Sequence, residues 1–583
     1  MLKNILTLEL SFIVLFFGTL SCNRSHEVKP PNENIFRIAM EAKIPSLDPH
    51  ITNDVYSSHA QALVYETLYQ YHYLKRPFEI VPVLAETLPQ MSVDGKKMTI
   101  KIKKSVHFQD DPCFEATGGK GREVTAHDVS YVFHRIAAPK FISPFYGSLE
   151  GRIIGVDDYH KGKTKTISGI SILDSYTIEI KLIQALPRFL YNFTDLKSAI
   201  IPKECVEKLG DQFANHPVGT GPFRIITAEL GHKVIAVRNP HYKHMVYPSE
   251  GKPGDKENGL LEDAGKALPL VDKVVFEVIT EAQPRWLKFL SGEFEMSGVP
   301  KDSIAMAFPD GKLSPELQKK GIRHVRHPRS DVTVSIFNMD DPVWGKKKEL
   351  RQAYALALDV DKIIEVQYSS QAIRAHSLLD PSQYGYDPQF KSKWAKRNLA
   401  KSKELLSKTG YPDGKGLPPI VMPTTNDTTS RQLDELMTRQ LAEVGIVLKS
   451  SPMTWPELER HLRTKHFVMT GIGYASSIPD VDDATPILRS KNEAPGPNAA
   501  SYKNPEVDRL SDEIEAMANS PARLAKIRKL VNILEDELPY VPMVHRIANQ
   551  LVQSWVRNHH YIDTMQLGPS LKYLKVALPA PQK

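Results

Sequence analysis

The sequence has few cysteines and no long apolar run beyond its first residues. Its 583 residues include only three cysteines, Cys22, Cys113 and Cys205, and no CxxC pair, which excludes a disulfide-dense scaffold. The sequence leaves open whether Cys113 and Cys205 form a disulfide or stay as two buried thiols. No later apolar run approaches the roughly 20 residues that span a bilayer, which excludes a multi-pass membrane protein. A content of 41% hydrophobic and 25% charged residues is typical of a soluble globular protein.

Charge of one sign and catalytic motifs are also scarce. The net charge of +7 is scattered in short runs, and no basic stripe with interleaved aromatic residues is present, so we expect no nucleic-acid partner. The sequence contains no HExxH, no GxSxG and no P-loop; the nearest match, between Gly259 and Ala267, has the wrong spacing. His241 and His244 lack an evident third ligand and are predicted to be surface histidines. We therefore predict a protein that is not an enzyme and that binds no metal and no cofactor.

The first residues have the features of an export signal. Lys3 provides a positive charge, and the apolar run 10–20 is about half as long as a membrane span. The small residue directly before Cys22 resembles a bacterial lipobox, in which cleavage falls before the cysteine and the cysteine carries a lipid. We predict a signal peptide at 1–21, lipidation of Cys22 and a polar tether at 22–34, with ordinary secretion as the alternative. The protein is then expected in the periplasm, anchored to the membrane by the lipid.

Strands and helices alternate along the rest of the chain. Alternating apolar residues predict a strand at 36–40, and the Asp-Gly pair within 93–96 predicts a tight hairpin. Thr125, followed by an Asp three residues later, predicts the start of a helix. Two late strands are predicted at 541–544 and 551–556. The class is therefore α/β or α+β, and the length allows two to four domains of roughly 100–200 residues or one body with several lobes.

A series of short motifs runs along the chain in a fixed order. They are SLDPH (46–50), VYETL (64–68), PVLAE (82–86), VDGK (93–96), VHF (106–108), TAHDV (125–129), PVGTGPF (217–223), FLSGE (289–293), RQA (351–353), GYP (410–412) and YKNPEVD (502–508). Each is weak alone, but in this order they resemble the peptide-type, family 5 solute-binding proteins of ABC transporters. Gly219 and Gly221 allow backbone angles closed to other residues, and we predict a rigid turn there rather than a ligand contact.

The resemblance implies an α/β fold with two lobes, known from periplasmic binding proteins. Lobe I would comprise residues 35–278 with an extra subdomain, and it would be completed by a return segment at 541–583. Lobe II would comprise residues 279–540. The ligand would lie in the cleft between the lobes, which close on it by a hinge motion.

The resemblance also implies how a ligand would be held. In peptide binders of this family an Asp in lobe II meets the ligand's ammonium, and a basic residue meets its carboxylate. The corresponding stretch, 471–480, has Ala475 or Ser476 where that Asp is expected. Either Asp480 or Asp482 therefore takes its place, or the ligand has no free amino terminus.

Several polar and aromatic side chains are candidate contacts in that cleft. Tyr and Trp can stack on a ligand while offering one donor, and Arg or His can meet a carboxylate. The predicted ligand-binding residues are Tyr474, Ser476, Trp455, Asn338, Arg374 and Asp480, with His376 beside Arg374.

The predicted function is the solute-binding component of an ABC importer. It would capture peptides or peptide-like solutes as a monomer and deliver them to a membrane permease and its ATPase. Two alternatives stay open: a lipid-anchored sensor or adhesin of the same fold, or a binder of a sugar, a muropeptide or a metal chelate.

Overall fold

The computed structural model describes residues 33–52, 54–76, 78–476, 478–560 and 567–577. The predicted signal peptide, Cys22 and the tether up to residue 32 lie outside the described residues. Helices and strands alternate through the described part of the chain, as predicted.

The secondary-structure elements are numbered here along the chain. The strands of the first part are β1 (Ile35–Met40), β2 (Tyr69–Tyr71), β3 (Ile80–Pro82), β4 (Gln90–Met91), β5 (Lys97–Lys101), β6 (Ile170–Asp174), β7 (Thr177–Lys181), β8 (Phe223–Glu229), β9 (Lys233–Arg238), β10 (Lys273–Val278), β11 (Met296–Gly298) and β12 (Arg323–Pro328). Its helices are α1 (Val55–Val64), α2 (Ala126–Ile136), α3 (Val156–His160), α4 (Lys203–Leu209), α5 (Ala282–Leu290), α6 (Ile304–Ala307) and α7 (Pro315–Lys319).

The second part continues the numbering. Its strands are β13 (Asp331–Phe337), β14 (Ala372–Arg374), β15 (Ile420–Thr425), β16 (Leu448–Met453), β17 (Met469–Ala475), β18 (Tyr540–Val552), β19 (Val556–Arg557) and β20 (Lys575–Val576). Its helices are α8 (Lys348–Ala357), α9 (Val360–Tyr368), α10 (Leu399–Lys408), α11 (Thr428–Ala442), α12 (Trp455–Arg463), α13 (Pro505–Ala516), α14 (Pro521–Glu537) and α15 (Leu567–Ser570).

Lobe I is built on two sheets that share one core. In the first sheet β1 lies parallel to β10, and β9 and β8 follow antiparallel. The second sheet has the antiparallel order β4-β5-β7-β6 and packs against α2. Phe36 of β1 and Ile100 and Ile178 of the second sheet belong to the same buried apolar cluster. The second sheet is therefore an extra subdomain attached to lobe I.

Two adjacent strands connect the lobes. Residues 329–330 separate β12 from β13, and both strands pair antiparallel with successive halves of β18. Pro328 lies opposite Ile547, and Thr333 lies opposite Val544. The backbone therefore crosses from lobe to lobe at two neighbouring points of one continuous ladder, which forms the hinge.

Lobe II is organised around the sheet β14-β18-β13-β17. Phe337 and Val541 pack on one face of it against α8 and α9, within one buried cluster. Val332, Val334 and Tyr540 pack on the other face against α13 and α14. Both faces of this sheet are covered, so its strands read as nearly continuous apolar runs.

From packing and strand pairing we infer lobe crossings that lie later than the predicted boundaries at 278/279 and 540/541. Glu295 accepts a hydrogen bond from Arg37 N of β1, and β11 pairs with the last residues of β18. Val541 and Val544 instead belong to a buried cluster of lobe II. We therefore infer crossings at about 329–330 and 546–547, with 279–322 in lobe I.

Local signals of the sequence largely match the elements. Gly95 has a φ of +66° in the hairpin between β4 and β5, and Thr125 forms a capping box with Asp128 at the start of α2. The two late strands predicted at 541–544 and 551–556 are in fact one strand, β18. The polar residues in the middle of β18 remain part of the strand because they pair with β14 and β12.

The PVGTGPF motif packs on the end of α1. A Cβ atom at Gly219 would lie 2.2 Å from the Val64 carbonyl oxygen, and one at Gly221 would lie 2.5 Å from the Val64 carbonyl carbon. Gly221 N also donates to that oxygen at 2.7 Å. The segment is a tight structural contact, as predicted, but close backbone approach rather than an unusual backbone angle demands the glycines.

Cys113 and Cys205 form a disulfide, which answers the question that the sequence left open. The bond ties the segment before α2 to α4. Among the described residues, no helix has both the length and the apolar character needed to cross a membrane.

Glu295 makes the stability of lobe I depend on pH. Burial raises the pKa of this carboxyl to about 7, although Arg37 lies 3.4 Å away. The folded protein then holds the proton more tightly than the unfolded chain, so this contribution to the unfolding free energy is present below pH 4.5 and is lost as the pH rises through 7.

In the wild type, the loss of this contribution should lower the unfolding free energy by about 3 kcal/mol as the pH rises. In Glu295→Gln this decrease should be absent, as measured by denaturant unfolding between pH 5 and 8. The exposed neighbour Glu293→Gln is the control, and parallel pH profiles for wild type and Glu295→Gln would refute the assignment.

Candidate functional site

The lobes contact each other beside the hinge and through an arginine bridge. Beside the hinge, Arg326 Nε of lobe I donates to Gln371 Oε1 of lobe II at 3.4 Å. In the arginine bridge, Arg188 Nε of lobe I donates to Asp482 Oδ2 of lobe II at 2.5 Å. We take the lobe II residues between these contacts as the candidate wall of the ligand cleft.

A hydroxyl-rich group occupies that wall, where β17 ends. Ser476 Oγ donates to Asp380 Oδ2 at 2.5 Å and accepts from Gln383 Nε2 at 3.0 Å. Ser382 N and Oγ donate to Asp380 Oδ1, and the Ser476 amide donates to Ser330 O beside the hinge. Asp380 is 1% exposed, and no cation in the described part of the chain forms an ion pair with it. Ser476 therefore presents a hydroxyl group that is backed by a buried negative charge.

Asp480 and Asp482, the acidic residues expected to approach a ligand, are engaged within the protein. Arg523 donates to both Asp480 oxygens, at 2.9 and 2.5 Å, and to Asp482 Oδ1 at 2.9 Å. Arg188 contacts both carboxylates from lobe I. Because Asp480 is buried and bound by two guanidinium groups, we infer a structural role for it rather than the predicted ligand contact.

Arg374 and His376 lie at the β14 edge of lobe II. The Nε and Nη1 atoms of Arg374 are buried and have no hydrogen-bond partner among the described residues. Burial lowers the pKa of Arg374 to about 10, so it stays charged near neutral pH. Burial lowers the pKa of His376 to about 4 and also lowers that of His545. Arg374 is therefore a partly buried cation without a hydrogen-bonded anion at these two atoms, although the carboxylates of Asp361 and Asp359 partly offset the lowering of its pKa.

The other predicted contacts have different environments. Asn338 Nδ2 donates to the carbonyl groups of Lys465 and Phe467, so its amide is occupied by lobe II backbone. Tyr474 packs edge-on against Tyr540 at 6.3 Å. Trp455 is 50% exposed at the start of α12. Only Ser476 of the predicted set belongs to the hydroxyl-rich group.

His244 is not a surface histidine, contrary to the prediction. Its side chain is 9% exposed, and its Nε2 lies 2.9 Å from Glu66 Oε2 in lobe I. His241 stays partly exposed and lies 3.2 Å from Asp110. Across the described ranges, no group of three His, Cys, Asp or Glu side chains is arranged to hold a metal ion.

Three residues of this region were missed by sequence reasoning. Arg523 had a usable signal, because it shares the buried face of α14 with Ile527, Leu530 and Leu534 at helical spacing. An arginine on an apolar stripe indicates a buried ion pair. Asp380 and Arg188 lie in irregular segments, where no periodic pattern marks a buried charge.

Comparison with known proteins agrees with this architecture. Residues 79–496 match the family model for bacterial extracellular solute-binding proteins, family 5. The chain is 24% identical over 541 residues to the glutathione-binding protein GsiB of Salmonella paratyphi A, covering 89% of this chain and 90% of that one. It is 25% identical to heme-binding protein A of Haemophilus influenzae, covering 94% of each. The structure of DppA from Helicobacter pylori with the peptide STSA superposes with a TM-score of 0.73 at 24% identity, covering 93% of this chain and 98% of that one.

The fold and the cleft therefore define an extracytoplasmic solute-binding component of the ABC-importer type, built from two hinged lobes. The chain belongs to the family 5 bacterial extracellular solute-binding proteins. Proteins of this family and the similar structures are binding proteins.

The Asp480–Arg523 pair should behave as a structural element of lobe II. Asp480→Asn leaves a buried guanidinium group without its main partner and should lower the unfolding free energy by about 3–5 kcal/mol, measured by denaturant titration. Ser476→Ala removes only a hydroxyl group and should cost about 1 kcal/mol. If Asp480→Asn were as stable as wild type, the structural role would be wrong.

Proposed function

We propose that this protein captures a zwitterionic peptide or peptide-like solute between its lobes and delivers it to an ABC permease and its ATPase. The observation that supports this ligand class is a buried carboxylate, Asp380, and a partly buried guanidinium group, Arg374, on lobe II. Neither Asp380 nor Arg374 has an ionic partner in the described part of the chain. An unpaired buried charge costs several kcal/mol, so each is expected to be neutralised by the ligand.

The spacing of the two charges suits a short extended chain. Arg374 lies on β14, and Ser476 follows β17, with β18 and β13 between these strands. Three inter-strand spacings of ~4.8 Å separate the two edges by about 14 Å. Ser476 also lies three residues beyond Gly473, the residue in register with Arg374, which adds an offset of about 10 Å along the strands. An extended peptide rises ~3.4 Å per residue, so about four or five residues span this distance.

Each end of such a ligand has a chemical partner. The ligand's ammonium would donate to Ser476 Oγ. Because the Ser476 hydroxyl donates its own proton to Asp380, its oxygen is free to accept. The Asp380 carboxylate beside this oxygen also favours a cation. The ligand's carboxylate would accept two parallel hydrogen bonds from Arg374, the strong geometry for this pair. This arrangement replaces the Asp that the family resemblance led us to expect at 475 or 476.

The relatives support a peptide-like ligand without specifying it. One is described as glutathione-binding, and another was solved with a tetrapeptide. The further parts of the proposal are export to the periplasm, a lipid anchor on Cys22, a monomeric state and no catalytic turnover of the ligand.

A thermal-shift screen tests the ligand class directly. The panel comprises di-, tri- and tetrapeptides, their N-acetylated and C-amidated forms, glutathione and haem. A bound ligand at a hundredfold excess over Kd should stabilise the protein by about 2.7 kcal/mol. Stabilisation by a free peptide but by neither blocked form supports the proposal. Stabilisation by haem alone, or by no peptide, contradicts it.

Substitutions at Arg374 and at Ser476 should weaken ligand binding for different reasons. Arg374→Met should abolish the peptide-induced shift, because it removes the donor of the two hydrogen bonds proposed for the ligand's carboxylate. Ser476→Ala should weaken binding of the free peptide about tenfold, the worth of one hydrogen bond to a charged group, as measured by calorimetry. Arg439→Met, which changes an exposed arginine of α11, is the control. Unchanged affinity in Arg374→Met would exclude this carboxylate site.

A further inference from the structure

Arg188 joins the two lobes through a set of contacts far from the hinge. It directly precedes Phe189, which is buried in the core of lobe I. Its own side chain is 7% exposed, and its hydrogen-bond acceptors among the described residues all lie in lobe II. Nε donates to Asp482 Oδ2 at 2.5 Å, Nη1 donates to Met517 O, and Nη2 donates to Ile514 O at 2.7 Å and to Glu515 O at 2.8 Å.

Arg188 contacts the end of α13 in lobe II. Ile514 and Glu515 lie in the last turn of this helix, where carbonyl groups lack the partners that the helix interior provides. Ile514 O also accepts from Met517 N and Arg523 Nε, and Arg188 adds one donor to it and one to Glu515 O. These carbonyl groups also carry the negative end of the helix dipole. Arg188 thus caps a helix of the opposite lobe.

Arg188 also balances the negative charge of two carboxylates in lobe II. Asp480 and Asp482 lie side by side, and within the described part of lobe II Arg523 is the one arginine that contacts both. Burial and the neighbouring Asp480 raise the pKa of Asp482. When the lobes are together, Arg188 supplies the second positive charge; when they separate, two carboxylates share one guanidinium group.

A flanking pair reinforces the same segment. Arg152 of lobe I lies 3.0 Å from Glu515, which also accepts from Arg489 of lobe II at 2.5 Å. Two lobe I arginines therefore converge on the end of α13 and on the acidic pair beside it.

We propose that Arg188 is the closure-determining residue of this protein: it holds the lobes together across the cleft even without a ligand. Desolvation nearly cancels the attraction within a buried ion pair, so such a pair selects one geometry more than it adds stability. Removing one partner is different, because the carboxylates would then be buried with too little positive charge. The closed state of an Arg188 variant is therefore strongly disfavoured, and the open state, where water reaches the carboxylates, becomes populated.

Small-angle X-ray scattering of the mature, ligand-free protein tests this inference without knowledge of the solute. The wild type should scatter as the closed form, whereas Arg188→Ala should shift the closed-to-open ratio about 100-fold toward the open form and increase the radius of gyration. Arg188→Lys keeps the charge but not the planar fork, and it should restore compactness in part. Resonance energy transfer between dyes placed on the two lobes should rank the wild type, Arg188→Lys and Arg188→Ala in the same order of compactness.

The matched control is Arg489→Ala, which removes an equally buried arginine whose partners, Asp512 and Glu515, both lie in lobe II. It should leave the radius of gyration at the wild-type value. Far-ultraviolet circular dichroism checks that each variant is folded, and Asp482→Asn provides a second route, since it should open the lobes to a smaller extent. An extended ligand-free wild type, or an Arg188→Ala variant as compact as Arg489→Ala, would overturn the proposal. Because no ligand is added, failure here is distinguishable from failure of the proposed peptide site.

Discussion

The antiparallel ladder between β12–β13 and β18 is the constraint on which the rest of the structure depends. Its backbone hydrogen bonds run from lobe I into lobe II, with Pro328 opposite Ile547 and Thr333 opposite Val544. A continuous ladder resists shear but can bend and twist at residues 329–330 and 546–547, where the partners of β18 change. We therefore expect the lobes to move relative to each other by rotation about this ladder, which would make or break the contacts between them.

That rotation gives charged residues in lobe II two different roles. Asp480 and Asp482 are neutralised inside the protein by Arg523, and from the opposite lobe by Arg188. Asp380 and Arg374 have no such partner among the described residues. The first set belongs to the closed geometry itself, and the second set is the one that a charged solute can complete. In a low-dielectric site both kinds of interaction are strong, because neither is screened by water.

Much of the local structure could be predicted from the sequence. The hairpin at Gly95 and the capping box at Thr125 depend on residues within a few positions of each other. The ordered motifs predicted the family and its two lobes, and the family match over 79–496 confirms this. The candidate site was predicted less well, because Ser476 could be named but the carboxylate behind it could not. Asp380 lies 96 positions away along the chain, so its contact with Ser476 exists only in the folded structure.

Patterns within the amino-acid sequence were enough to predict the class of this protein, the alternation of its strands and helices, and a rigid turn at Gly219 and Gly221. These properties follow from motif order, periodicity, capping and turn chemistry, which can be read along the chain. The pairing of charges became known only from the folded structure: Arg523 contacts Asp480 across 43 positions, and Arg188 contacts Asp482 across 294. Such pairings depend on strand order and lobe closure, and no local pattern records them, because a buried charge is defined by what surrounds it in space.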